Sequence, residues 1–192
     1  MCIDREQPGF TMETNLAAYN NSWYKPGNKL KIMAWYFVQA LFFLNPLNPF
    51  SGIKVFLLRL FGAKIGHNVL IKPCVQVKYP WLLEIGNNVW VGEYVWVDNL
   101  ARVKIGDNVV LSQGAMLLCG NHNYKKSTFD LMIGEIQLLN GSWVGAKAVV
   151  CANVILNPHA ILTVGSVATH SLEENTIYSG NPAIKVRTRI IS

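Results

Sequence analysis

The fold is decided by three copies of one short pattern: Ile65-Gly66-His67-Asn68, Ile85-Gly86-Asn87-Asn88 and Ile105-Gly106-Asp107-Asn108. Each copy follows the previous one by 20 residues, because an aliphatic residue recurs every six positions through three units and two extra residues precede the next copy. A six-residue unit holds one short strand and one turn, and three units return the chain above its start, so successive coils stack about 4.8 Å apart. The pattern predicts a three-sided parallel β-helix, with Gly and Asn at corners that need a positive φ.

The repeat keeps its phase through most of the chain. Its aliphatic positions are Ile65, Ile71, Val77, Ile85, Val91, Val97, Ile105, Leu111, Leu117, Leu138, Val144, Val150, Leu156, Leu162 and Ala168. We predict a β-helix over 64–174, an N-terminal lead and apolar helical region over 1–63, and a basic C-terminal tail over 175–192. The 15 residues from 123 to 137 interrupt the repeat and are expected to form a loop.

Composition and charge exclude some classes of protein and favour others. The 192 residues are 51% apolar and 15% charged, which excludes a disordered chain. The formal net charge of +6 favours an anionic ligand or surface, but no motif indicates a nucleic-acid partner. The four cysteines are far apart, and the first residues lack the regions of a signal peptide, so we expect a reduced, cytoplasmic compartment.

Two helices are predicted in the N-terminal region. One covers 30–44 and ends at Asn45-Pro46; the other begins at Ser51 as its N-cap and closes at Gly62. The helices cover either the open end of the β-helix or a subunit contact, or they dock on a membrane surface. Docking would place the cytoplasmic protein at the inner face of the membrane. In the membrane interpretation the docking residues are Trp35, Tyr36, Phe37, Phe42, Phe43, Lys29, Lys31, Lys54 and Arg59.

His122 is the candidate catalytic residue because it lies where a rigid coil meets the long loop. A neutral histidine near pH 7 is suited to accept a hydroxyl proton, although a structural corner histidine is the alternative. Asp98 and Asn99 fall one coil earlier and could orient this ring, or they could hydrogen-bond their own corner. The remaining histidines are expected to be structural, since each lies at a corner or at the end of the repeat: His67, His159 and His170.

Other kinds of site find little support. No close histidine pair anchors a metal site, and the phosphate-binding glycine loops and the G-x-S-x-G elbow are absent from the sequence. Near the C-terminus, Lys185, Arg187 and Arg189 alternate along an extended segment and could hold phosphates on one side. A solvated basic tail is the alternative.

Several segments together resemble the hexapeptide-repeat acetyltransferases. They are Gly120-Asn121-His122-Asn123-Tyr124, Ser127-Thr128-Phe129-Asp130-Leu131, Trp143-Val144-Gly145-Ala146, Gly165-Ser166-Val167-Ala168-Thr169 and Gly180-Asn181-Pro182-Ala183. Within that superfamily, Tyr79-Pro80-Trp81 and Trp96-Val97-Asp98-Asn99-Leu100 are similar to the colanic-acid-biosynthesis type of O-acetyltransferase. The resemblance covers about residues 25 to 190.

The resemblance implies an all-β fold, a left-handed parallel β-helix with a short N-terminal helical region and an inserted active-site loop, assembled as a homotrimer. It implies transfer of an acetyl group from acetyl-CoA to a sugar hydroxyl in surface-polysaccharide biosynthesis, with His122 as general base in direct transfer. No acyl-enzyme and no metal are expected. A small free sugar or an antibiotic as acceptor, an N-acetyltransferase, a non-catalytic scaffold and a metal-dependent lyase are the alternatives.

The resemblance also assigns the donor site. The backbones of Ala146 and Val164 would contact the pantetheine arm, with Thr169 and His170 farther along it. Lys185 and Arg187 would meet the nucleotide phosphates. The chain departs from the family at His170, where Lys is usual, and at Cys151-Ala152-Asn153, where Gly-Pro-Gly is common.

Overall fold

The structure is a computed structural model that describes residues 13–191, so Cys2 and the predicted absence of a signal peptide lie outside the described residues. The chain divides into two units. The smaller contains residues 13–25 and His122–Met132, with a 3₁₀ turn at Leu16–Ala18. The larger contains Pro26–Asn121 and residues 133–191.

The larger unit winds into stacked coils, and each coil adds one short strand to each of three parallel sheets. Sheet A contains β1 (Lys64–Ile65), β4 (Leu83–Ile85), β7 (Val103–Ile105), β12 (Ile136–Leu138) and β15 (Ile155–Leu156). Sheet B contains β2 (Leu70–Ile71), β5 (Trp90–Val91), β8 (Val110–Leu111), β13 (Trp143–Val144), β16 (Ile161–Leu162), β18 (Thr176–Gly180) and β19 (Ala183–Thr188). Sheet C contains β3 (Gln76–Val77), β6 (Trp96–Asp98), β9 (Met116–Leu118), β14 (Val149–Cys151) and β17 (Val167–Ala168).

The predicted solenoid and its phase are confirmed. Ile65 pairs with Ile85, and Ile85 with Ile105, so equivalent positions of successive repeats stack directly. Apart from the half-buried Ile65, every predicted aliphatic position is buried in one continuous core. Two further strands, β10 (Gly120–His122) and β11 (Leu131–Ile133), lie at the two ends of the loop, and the coil resumes at Ile136.

The asparagines of the repeat supply the left-handed corner between sheets A and B. Asn68, Asn88 and Asn108 have φ values of 53°, 55° and 57°. Asparagine tolerates this region better than most residues, because its short polar side chain can bond locally. The prediction that asparagine takes a positive φ at these corners is therefore confirmed.

The glycines of the same corner have a different role from the one expected. Gly66, Gly86 and Gly106 do not adopt a positive φ. Instead, a Cβ on Gly86 would lie 2.8 Å from the carbonyl carbon of Gly106 and 2.9 Å from the backbone nitrogen of Asp107. The glycines are needed because the next coil passes too close for a side chain.

Two helices cover the first coil: α1 (Lys29–Val38), extended by a π-helical turn at Gln39–Phe43, and α2 (Ser51–Leu60). The first coil has no earlier coil to pair with, and α1 supplies partners for it. Trp35 Nε1 donates to the carbonyl of Val77 at 2.7 Å, and Gln39 Oε1 accepts from the Val77 N–H at 2.7 Å. These bonds satisfy backbone groups that would otherwise be left unpaired at the end of a sheet.

Four residues of this region differ from their expected roles. Ser51 is not an N-cap, because its hydroxyl donates to the carbonyl of Val69 at 3.1 Å and accepts from the Ile71 N–H at 2.8 Å. The membrane interpretation places Trp35, Phe43 and Lys54 on an outward surface, but all three are buried. Lys54 Nζ donates to the carbonyl of Asn48 at 2.8 Å, and burial lowers the pKa of Lys54.

The C-terminal residues form strands rather than a free tail as far as Thr188. β18 extends sheet B in parallel with β16, and β19 folds back antiparallel on β18. Between residues 13 and 191 no helix has the length and apolar character needed to cross a bilayer.

The glycine contacts predict that Gly86→Ala destabilises the protein by about 1–3 kcal/mol, since the added methyl group meets backbone that cannot move aside. Chemical denaturation followed by circular dichroism measures this change. Gly52→Ala is the matched control, because a Cβ added at Gly52 would have no atom within 4 Å and alanine favours the helix. Equal stability of the two variants would contradict the close-packing role of Gly86.

Candidate functional site

His122 is held in one orientation by its own loop. Its Nδ1 lies 2.8 Å from the carbonyl oxygen of Phe129. A carbonyl can only accept a hydrogen bond, so Nδ1 carries the proton of the neutral ring and Nε2 carries the lone pair. This is the tautomer that a general base needs at Nε2.

Two aromatic rings fix the plane of the imidazole. Phe129 stacks on His122 with ring centroids 4.5 Å apart and planes 5° from parallel, and Tyr19 packs at 5.7 Å in a tilted arrangement. Phe129 has a φ of 51°, which turns its backbone within the loop. Sequence reasoning found neither role, because a residue in the N-terminal lead and a loop backbone carbonyl leave no periodic signal.

Asp130 braces the loop beside this pair. Its carboxylate accepts from Lys126 Nζ at 2.8 Å and from Thr128 Oγ1 at 2.6 Å. These two contacts hold the pKa of Asp130 below its usual value, so it is ionised at neutral pH and both bonds persist. The Asn123 N–H also donates to the Asp130 carbonyl at 2.8 Å, which closes the loop at its base.

Asp98 and Asn99 both bond to the preceding coil. Asp98 Oδ1 accepts from Lys78 Nζ at 2.8 Å. Asn99 is fully buried, donates to the Tyr79 carbonyl at 2.6 Å and accepts from the Tyr79 N–H at 2.9 Å. A Cβ on Gly120 would lie 3.8 Å from Asp98 Oδ2, so β10 begins beside the Asp98 carboxylate.

Ala146 and Val164 line one open cavity on the larger unit. Its volume is about 420 Å³, and its other lining residues are Ser112, Gln113, Trp143, Gly145, Ile161, Leu162 and Thr163. Within residues 13–191, no hydrogen bond uses the backbone N–H of either Ala146 or Val164. Two residues that line the cavity therefore have main-chain N–H donors that no described residue uses.

Thr169 and His170 follow β17 at the corner after sheet C. Thr169 Oγ1 and His170 Nδ1 lie 3.0 Å apart, and both residues are exposed. They are therefore at a different corner of the solenoid from Ala146 and Val164, with sheet C between the two corners.

The three C-terminal cations, Lys185, Arg187 and Arg189, make different contacts. Lys185 Nζ pairs with Glu173 Oε2 at 2.6 Å, and this hydrogen bond raises the pKa of Lys185. Arg189 donates to the carbonyls of Gly141 and His159, which ties the chain end to two corners. Arg187 is exposed on β19 and forms no ion pair with any other described residue.

Two cysteines, Cys119 and Cys151, are poor candidates for a nucleophile, and the described residues contain no cluster of metal ligands. Burial raises the pKa of the Cys119 thiol to about 11, and burial also raises the pKa of Cys151. A thiol with a raised pKa is a poor nucleophile at neutral pH. No group of three or more His, Cys, Asp or Glu among residues 13–191 lies close enough together to hold a metal ion.

Comparison with solved structures places this arrangement among known folds. The structure of a maltose O-acetyltransferase from Clostridium difficile 630 superposes with a TM-score of 0.71 at 18% identity, covering 85% of this chain and 90% of the other. A hexapeptide-repeat acetyltransferase of Vibrio cholerae O1 biovar eltor in complex with acetyl coenzyme A gives a TM-score of 0.70 at 18% identity, over 76% and 81% of the chains. The fold class, the left-handed β-helix of hexapeptide repeats, is confirmed.

Comparison with curated sequences identifies the relatives. No protein-family model matches the chain. The protein named colanic acid biosynthesis acetyltransferase WcaF in Escherichia coli (strain K12) is 34% identical to this chain over 167 residues. The match covers 87% of this chain and 92% of the relative. A protein of the same name from Shigella flexneri matches equally well. With this identity over nearly the whole of both chains, and with the fold of the hexapeptide-repeat acetyltransferases, the protein belongs to the colanic acid biosynthesis acetyltransferase family.

Proposed function

We propose that the protein transfers an acetyl group from acetyl-CoA to a sugar hydroxyl in surface-polysaccharide biosynthesis, with His122 as the general base. The observation that carries the proposal is the bond from His122 Nδ1 to the Phe129 carbonyl, which leaves the basic lone pair on Nε2. The acetyl-CoA complex of a structural neighbour and the colanic acid name of the sequence relative support the donor and the acceptor class.

The reaction follows from that tautomer. The acceptor hydroxyl gives its proton to His122 Nε2 as its oxygen attacks the thioester carbonyl carbon. The tetrahedral intermediate collapses, the C–S bond breaks, and the CoA sulfur takes the proton back from the imidazolium. Nδ1 carries its proton in both the neutral and the charged ring, so its bond to the Phe129 carbonyl is kept throughout the transfer. The raised pKa of Cys119 argues against a covalent acyl-enzyme.

The cavity at Ala146 and Val164 is the proposed site for the pantetheine arm, since its two available N–H groups suit the arm's amide carbonyls. Thr169 and His170 would lie farther along the donor. We assign the phosphate contact to Arg187, because Lys185 is paired with Glu173 and would have to exchange that partner. Because position 170 is His where the family usually has Lys, a phosphate contact from this position would be weaker.

Asp98 and Asn99 receive different assignments. We propose that the Asp98 carboxylate, at the start of β10, is a positioning group for the catalytic strand and shares that task with Lys78. We assign Asn99 to the coil corner rather than to catalysis, because both ends of its amide are bonded to Tyr79 in the buried interior. This is the alternative that the sequence left open.

A homotrimer is proposed from the outward faces of the sheets. Apart from Ile155, the outward side chains of sheet A are charged or polar: Lys64, Glu84, Lys104 and Gln137. Sheets B and C, apart from Gln76 of sheet C, point mostly apolar side chains outward: Leu70, Trp90, Val110, Trp143, Trp96, Met116 and Val149. Contacts between copies through sheets B and C would cover these side chains and enclose the donor cavity.

The compartment is proposed to be the reducing cytoplasm. The three cysteines among the described residues, Cys74, Cys119 and Cys151, are all free thiols. Free thiols are typical of reducing compartments.

Titration of the purified protein with acetyl-CoA by calorimetry tests the donor without a choice of acceptor. One site per chain is expected, with micromolar to sub-millimolar affinity for acetyl-CoA. Failure to bind at millimolar acetyl-CoA would favour a scaffold. A subsequent screen with soluble sugars, aminoglycoside-type antibiotics and lipid-linked glycans separates the possible acceptors.

His122→Ala should lower turnover on the order of 10²–10⁴-fold, because the acceptor hydroxyl loses its base. Steady-state kinetics measures the loss, and calorimetry should show unchanged acetyl-CoA binding. His67→Ala is the matched control, since His67 is an exposed corner residue on the larger unit. Near wild-type turnover of His122→Ala would remove His122 from the mechanism.

Arg187→Ala should raise the dissociation constant for acetyl-CoA, and the difference from wild type should shrink at high salt because the contact is electrostatic. Lys64→Ala removes the same charge from the polar face of sheet A, where it pairs with Glu84 at 3.2 Å, and should leave the affinity unchanged. If both variants bind acetyl-CoA as the wild type does, Arg187 is a solvated cation.

A further inference from the structure

The two N-terminal helices carry apolar side chains on both sides. The side toward the first coil buries Trp35, Phe43 and Leu58 together with Lys54, whose Nζ donates to backbone carbonyls of the larger unit. Other apolar side chains face outward at helical spacing. These exposed residues, here called the N-terminal face, are Leu30, Met33, Phe37, Leu41 and Leu44 from α1 and its extension, and Ile53, Phe56 and Leu60 from α2.

The exposure of this face is large for apolar side chains. Phe37 is 59% exposed, Leu41 is 66% exposed and Phe56 is 63% exposed. α2 packs against the π-helical turn that extends α1, so both stripes belong to one helical layer. Contiguous apolar surface of this kind indicates a binding partner, because a lone soluble chain would leave it in water.

The helical region is positively charged, which favours a negatively charged partner for the N-terminal face. The sequence contains no Asp or Glu between Glu13 and Glu84. The helices nevertheless expose Lys29, Lys31 and Arg59. Lys31 lies 4.6 Å above the Trp81 ring, and Arg59 donates to the carbonyls of Ile65 and Gly66, so neither cation is neutralised by a carboxylate.

We propose that the N-terminal face docks into the interface of an anionic lipid bilayer. Aromatic and aliphatic side chains would enter the headgroup boundary, while the cations reach the lipid phosphates and carboxylates. α1 with its 5-residue π-helical extension and the 10-residue α2 are both too short to span the bilayer, so the protein would lie on the membrane surface. This inference goes beyond the transfer reaction and does not depend on it.

A second copy of the chain fits this face less well. A two-fold contact would place the face of one copy against the same face of another. The lysines and the arginine would then meet like charges, and the helical layer offers no acidic side chain to compensate them. The charge pattern therefore favours lipid over self-association.

The test is flotation of the full-length protein with phosphatidylcholine vesicles that contain about one third phosphatidylserine. Wild type should float with these vesicles, and binding should weaken with pure phosphatidylcholine and with added salt. The triple variant Phe37→Ser, Leu41→Ser, Phe56→Ser should bind at least about tenfold more weakly, since it removes apolar area from the face. Its acetyl-CoA affinity and oligomeric mass should stay those of wild type.

The control variant Ile184→Ser, Ile190→Ser, Ile191→Ser removes exposed apolar area at the other end of the solenoid and should float as wild type does. Two results would overturn the proposal: wild type that does not float, or a triple variant that floats equally well. A triple variant of lower oligomeric mass would instead assign the face to contacts between copies. Because acetyl-CoA is titrated without vesicles, failure of membrane docking and failure of the transferase assignment are distinguishable.

Discussion

Close passage of one coil over the next is the constraint on which the rest of the structure depends. Parallel pairing sets the distance between coils, and at each corner the backbone of one coil almost touches the next. A Cβ at Gly86 has no room there, and Asn88 must take a left-handed φ to turn the chain. Once these corners are in place, the aliphatic residue of each unit can only point into the core, and the outer faces become available for partners.

The rigid coils and the inserted loop hold different parts of the candidate site. The coil corners provide a fixed groove with the N–H groups of Ala146 and Val164. The loop leaves the repeat at His122, and contacts within the loop stabilise it. Asp130 braces it, and the Phe129 carbonyl selects the tautomer of the histidine. A side chain held this way has a fixed orientation without belonging to the solenoid.

No coil precedes the first coil, so its strand edges have no strand to pair with on that side. The N-terminal helices compensate for this by turning polar groups inward, with Gln39 and Trp35 bonding to Val77 and Lys54 reaching the carbonyl of Asn48. Burying a lysine requires such a partner, and it also lowers the pKa of that lysine. The same helices bury Trp35, Phe43 and Leu58 on this side, and their other apolar side chains form the exposed N-terminal face. Capping the solenoid and presenting a docking surface are thus two results of one packing arrangement.

The sequence by itself determined the solenoid, its phase, its core residues and the position of His122 at the start of the loop. These features are periodic or local, and two inward side chains in every six residues leave a clear pattern. Only the tertiary structure decided which groups meet: Ser51 bonds to the first coil, Trp35, Phe43 and Lys54 are buried, and the Phe129 carbonyl and Tyr19 orient His122. Such partners depend on where helices and loops that lie outside the repeat come to rest. Periodicity carries no information about that, because those segments do not share the register of the coils.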